Sequence, residues 1–229
     1  MKRLLTIASA VVAAAGLASA TPCTNGTLAS YIALGAGGCT IGSNTLFGFA
    51  TLSGTAGATA IATAGLAIAP FSGATSFGFT ATTSQTAGAG SLLESIFTYK
   101  ISGSSYTGTS IALSSSSETG DGAVTDVQNY CAGGSFGPDG VTGCAAVTGA
   151  LVTLNGVQQT DAASFAGVSL LSITDDFTLD GCLDGSATGG SFRDEFTAGA
   201  ISAIPEPFGF VLTSLGLAVG MLLRRRTNE

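Results

Sequence analysis

An all-β fold, an antiparallel β-sandwich, is what the sequence predicts for residues 21–204, and three observations predict it. Short runs rich in Thr, Val, Ile and Phe recur along the chain, the composition of pleated, half-buried strands. Each run is bounded by Gly, Ser, Asn or Asp, which favour turns. In "IFTYKIS" (96–102), Phe97, Tyr99 and Ile101 alternate with Ile96, Thr98 and Lys100, the period of a strand with one face buried. The regular spacing of the runs suits two packed antiparallel sheets.

Taken in order, the chain opens with "MKRLLTIASAVVAAAGLASA". Lys2 and Arg3 supply a positive start, Leu4 to Leu17 an apolar stretch, and Ala18-Ser19-Ala20 a small-residue cleavage site. Residues 1–20 therefore read as a signal peptide helix that engages the general secretion machinery, with Thr21 as the first residue of the exported chain. Thr21 and Pro22 separate this site from Cys23, which disfavours lipidation of that cysteine.

"NGTLASYIALG" (25–35) predicts one or two helical turns. Strands follow at 46–52, 59–69, 75–83, 96–102, 107–113, 122–130, 150–157 and 165–179, and "SSSSETGDG" (114–122) reads as an exposed loop.

Five cysteines in an exported chain predict disulfides. Close spacing favours Cys23 with Cys39 and Cys131 with Cys144, leaving Cys182 single. With no histidine and no C-x-x-C pair, zinc is a poor alternative.

Charge narrows the function classes. Between Thr21 and Ile204 the basic residues are only Lys100 and Arg193, against twelve acidic ones, so nothing can neutralise a phosphate backbone and a nucleic-acid partner is not expected. The absence of histidine removes the Ser-His-Asp and Cys-His arrangements. Paired carboxylates remain, and the acids are densest at Asp175, Asp176, Asp180, Asp184, Asp194 and Glu195. Asp175 and Asp176 are adjacent and would point to opposite faces of a strand, while Asp180-Gly181 and Asp184-Gly185 read as turns. The expectation is a non-enzyme with no catalytic pair and no cofactor.

Calcium is the better functional reading of these acids, although D-G-C-L-D-G matches no EF-hand loop. A glycan-binding module of an exopolysaccharide matrix is the alternative class. It would need Tyr31, Tyr99, Tyr106 and Tyr130 as a stacking strip, since tryptophan is absent.

The chain closes with "AIPEPFGFVLTSLGLAVGMLLRRRTNE". As a helix, residues 208–223 would span about 24 Å, slightly short of the roughly 30 Å hydrocarbon core. Snorkelling of Arg224, Arg225 and Arg226 would close that gap and hold this end in the cytoplasm. Pro205 and Pro207 disfavour helix on the outer side, and Glu206 resists entry into lipid.

Pro205-Glu206-Pro207, the short apolar segment and the arginines, in that order, resemble the PEP-CTERM sorting signal of exported bacterial proteins. The resemblance implies a membrane-anchored precursor whose partner is exosortase, a membrane enzyme that cleaves near the PEP motif and passes the ectodomain to the cell surface or matrix. "CTNGTLASYIALGAGGCTIG" (23–42), the paired cysteines and "SITDDFTLDGCLDGSATGG" are similar, more loosely, to acidobacterial PEP-CTERM proteins whose ectodomains have no assigned role. The expected organisation is a signal peptide at 1–20, an ectodomain at 21–204 and a sorting signal at 205–229.

Overall fold

The computed structural model describes residues 21–199. The signal peptide with Ala18 and Ala20, and the tail with Pro205, Glu206, Pro207 and Arg224 to Arg226, lie outside the described residues. Among the described residues no helix is long and apolar enough to cross a membrane.

The described chain is mostly β. After strand β1 (Gly26–Thr27) comes one short helix, α1 (Leu28–Ala33). Thr27 caps it by accepting from the Ser30 amide, and Ser30 Oγ accepts from the Thr27 amide in return. A hairpin then joins β2 (Cys39–Ile41) to β3 (Asn44–Thr51), with Gly42 at φ 60° in its two-residue loop.

The run at 59–69 is not one strand. It divides into β4 (Thr59–Ala60), a 3₁₀ turn at Thr63–Gly65 and β5 (Ala67–Ser72). The turn folds Ile61 and Leu66 into the core, where a straight strand of alanines would bury little. Then follow β6 (Ser76–Thr82), β7 (Thr86–Ala87), β8 (Leu92–Ser114), β9 (Ser117–Thr119) and β10 (Ala123–Ala132). The last four are β11 (Val147–Leu154), β12 (Thr160–Asp180), β13 (Ser186–Thr188) and β14 (Ser191–Ala198).

Two long strands organise everything else. The segments expected separately at 96–102 and 107–113 are one strand, β8, paired antiparallel with β12 along most of its length. Their register shifts between Ser164 and Leu170, opposite Ser102 to Gly108, so both strands change direction at the same level. On one side of this bend lie β3, the first part of β8, the last part of β12, β10 and β11. On the other side lie the first part of β12, the last part of β8, β14, β6, β5 and β1. The sheet thus curls so that its two halves face each other. A small sheet of β7, β13 and β9 adjoins it.

Aromatic rings fill the space between the halves. Tyr99 on β8 stacks on Phe49 at 5.0 Å and meets Phe79 of β6 edge-on at 5.2 Å, while Phe177 of β12 stacks on Phe192 of β14 at 5.0 Å. Each such pair adds about 1 kcal/mol to the burial of the rings. Gly78 lets β6 and β14 come close at this level, since a Cβ there would lie 1.9 Å from the Asp194 carbonyl oxygen.

Candidate functional site

Strand alternation drives three carboxyl groups into this aromatic interior. On β14, Phe192, Asp194 and Phe196 point inward while Arg193 and Glu195 point out. On β12 the inward residues include Ile173, Asp175 and Phe177, and on β10 they include Val124, Asp126 and Gln128. Asp126, Gln128, Asp175 and Asp194 are all 0% exposed. β8 contributes from both sides of its bend, with Tyr99 from the first part and Thr109 from the last.

Two hydrogen bonds cross from one half of the curled sheet to the other. The Tyr99 hydroxyl donates to Asp194 Oδ2 at 2.8 Å, and Thr109 Oγ1 donates to Gln128 Oε1 at 2.6 Å. Both oxygens of Asp126 and of Asp175, and Oδ1 of Asp194, accept from no amide or hydroxyl among the described residues. Gln128 Nε2 has none either. Native interiors leave few such groups, so this concentration at one place calls for a chemical explanation.

Protons supply part of it. Burial pushes the Asp175 carboxyl well above the usual carboxylate range, and the charges of Asp194 and Asp126 push it further. Asp126 is raised well above the same range, first by burial and then by Asp194 and Asp176. Asp194 is raised by burial to about 6, held back by the neighbouring Asp175 carboxyl, by the hydrogen bond from Tyr99 and by the nearby Gln128 amide. Asp175 therefore keeps its proton and donates it toward Asp194, and the Gln128 side chain lies close enough to lower both. Burial and mutual repulsion thus favour the neutral acid at all three positions, which lowers the cost of holding three aspartates in this interior.

The other acids take different places. Asp176 faces the outer side of β12, where burial raises its carboxyl and Glu94 raises it further. Asp180 and Asp121 cap one turn. Asp180 Oδ1 accepts from the Cys182 amide at 2.7 Å, and the two Asp121 oxygens accept from the Leu183 and Asp184 amides at 3.1 Å each. Glu195 pairs with Arg193 at 2.9 Å, and the guanidinium also lies 3.5 Å over the Phe71 ring. Among the described residues no three His, Cys, Asp or Glu side chains converge on a metal position. The six acids grouped by sequence as a calcium candidate are thus spread between a buried centre, an outer face and a turn.

The cysteines join as Cys23 to Cys39, with sulfurs 2.08 Å apart, and Cys131 to Cys144, at 2.00 Å, and Cys182 is single. The Cys131–Cys144 loop has internal order. Asp139 Oδ1 accepts from the Val141 and Thr142 amides, and the Thr174 hydroxyl donates to the Gly140 carbonyl, docking the loop on β12. All four tyrosines, at 3% for Tyr31, 0% for Tyr99 and Tyr106 and 9% for Tyr130, are buried.

Thr109, Asp126 and Gln128 were not singled out from the sequence. A signal was present at the other two aspartates: "ITDDF" and "FRDEF" each place an aspartate on one face between an apolar residue and a phenylalanine. Comparison with protein-family models, curated proteins and solved structures finds no match.

Proposed function

We propose that this chain is an exported cell-surface or extracellular-matrix protein with no catalytic activity of its own, membrane-tethered as a precursor and released by exosortase. The observation that carries this reading is the order of elements in the tail: Pro205-Glu206-Pro207, the apolar residues 208–223, then Arg224 to Arg226, in a chain that starts like a secreted one. The general secretion machinery would deliver residues 21–204 across the membrane.

The two disulfides support an oxidising destination. The curled sheet is read as a two-layer sandwich, a scaffold common to many surface proteins. Full burial of Asp126, Asp175 and Asp194 supports a non-enzymatic reading, because no outside substrate reaches them. The carbohydrate-binding alternative draws no support from the tyrosines, which are buried.

Mass spectrometry of the protein from the cell surface and medium, with and without exosortase, tests the reading. The expected product begins at Thr21 and ends near Pro207 only when exosortase is present. An intact C-terminus in both strains would make the tail a permanent anchor and overturn exosortase processing.

A further inference from the structure

We propose that Thr109 and Gln128 become joined by an intramolecular ester between Thr109 Oγ1 and the Gln128 side-chain carbonyl carbon, formed by the folded protein itself with release of ammonia. Four observations converge on this pair. Thr109 Oγ1 already lies 2.6 Å from Gln128 Oε1, so the carbon to be attacked is one carbonyl bond, about 1.2 Å, beyond the contact. Both side chains are buried, Thr109 at 2% and Gln128 at 0% exposure, so water is kept from hydrolysing the product. The leaving nitrogen, Gln128 Nε2, has no partner to hold it. Around the amide stand Asp175 and Asp194, with Asp126 on the same strand, a neighbourhood that holds both a protonated acid and an ionisable one.

The chemistry balances without a co-reactant. The hydroxyl proton of Thr109 passes to the ionised carboxylate of the cluster as Oγ1 adds to the Gln128 carbon, forming a C–O bond. A protonated carboxyl of the cluster then gives its proton to Nε2 as the C–N bond breaks, and ammonia leaves. One hydroxyl and one primary amide become one ester and one ammonia, with no change in oxidation state. Amides resist alcohols in solution. Here the two groups are held at contact, which for well-oriented pairs is equivalent to concentrations on the order of 10⁵ M or more, and loss of ammonia to the solvent draws the reaction forward.

Placement gives the bond a mechanical role. Thr109 sits in the half of the curled sheet that contains β14, and Gln128 in the half that contains β11. Neither disulfide connects these two segments, because Cys23–Cys39 and Cys131–Cys144 each close a local loop. The ester would be the covalent tie between the two faces of the core.

Digestion after glutamate tests this directly. Cleavage of the denatured, reduced chain after Glu94, Glu118 and Glu195 places Thr109 in fragment 95–118 and Gln128 in fragment 119–195. The wild-type protein should yield the two fragments joined, lighter than their sum by one ammonia, and hydroxylamine should separate them. Thr109→Val should yield separate fragments, and Thr109→Ser should restore the link. Asp194→Asn should reduce the linked fraction severalfold in protein whose circular dichroism is unchanged. Asn25-Gly26 and Asn155-Gly156 can also lose ammonia by cyclising, but that reaction joins no fragments. Separate, unmodified fragments from folded wild type would overturn the proposal, as would a link that survives Thr109→Val. A linked fraction unaffected by Asp194→Asn would overturn the role given to that carboxylate.

Discussion

Asp126, Asp175 and Asp194 bind protons more tightly in the folded chain than in the unfolded one, and this fixes the sign of a pH dependence. Their folded values are raised above the ordinary 3.8, so their contribution to stability is complete below that value and is lost as pH rises through the folded values, which for Asp194 is about 6. Asp176, also raised, acts in the same sense. Asp121 and Asp139, lowered by amide and hydroxyl hydrogen bonds in exposed turns, act in the opposite sense and only in acid. Thermal unfolding followed by circular dichroism should therefore show a melting temperature that falls as pH rises from about 4 through about 6. Asp175→Asn, which removes one titrating group and can still donate to Asp194, should flatten that fall. A profile that rises with pH would refute the protonated centre. Much of this centre lay within reach of the sequence: alternation in "FRDEF" puts Asp194 on the face of Phe192 and Phe196. The convergence of three strands on one place did not, because it depends on how the sheet closes.

At the level of elements, alternation in "IFTYKIS" correctly placed Phe97, Tyr99 and Ile101 inside, all at 0% exposure. The limits of the long strands were harder to read. "SGSSY" (102–106) carries turn residues, yet it is a bend within β8, because β12 runs alongside and changes register at the same level. Turn chemistry reports that the backbone can bend; the neighbouring strand determines whether pairing resumes beyond it. The cysteine-closed loop at 131–144 was easier to read, since its spacing allows a local bridge. Replacing Cys131 and Cys144 together by alanine should lower stability by about 3 kcal/mol in chemical denaturation, through the greater freedom of the unfolded chain. The fold itself should persist, because β10 keeps its pairing with both β11 and β12. A double variant as stable as the parent would mean that the Asp139 and Thr174 contacts alone hold the loop.

At the scale of the whole molecule, what the sequence says about handling and what the fold says about chemistry come from different regions. The tail and the leader carry the export reading through hydropathy and charge order, which need no tertiary structure to interpret. The folded body, residues 21–199, carries its distinctive groups inside, where composition alone gives no sign of them. Its two basic residues both stand within paired strands. Lys100 is central in β8, paired with Phe47 of β3 and Ser172 of β12, and Arg193 is in β14 between β6 and β8 while its side chain covers Phe71. A protease must draw several residues of extended chain into its cleft, and neither strand can leave its sheet without general unfolding. Trypsin added to the native protein should therefore leave the chain uncut at Lys100 and Arg193 for hours, whereas the denatured chain is cut at both positions; rapid cutting of the native form at Lys100 would contradict this. If the chain is released as proposed, beginning at Thr21 and ending near Pro207, Lys100 and Arg193 are the sole positions open to a trypsin-like enzyme, so its lifetime outside the cell would be set by neighbours whose enzymes cut at other residues.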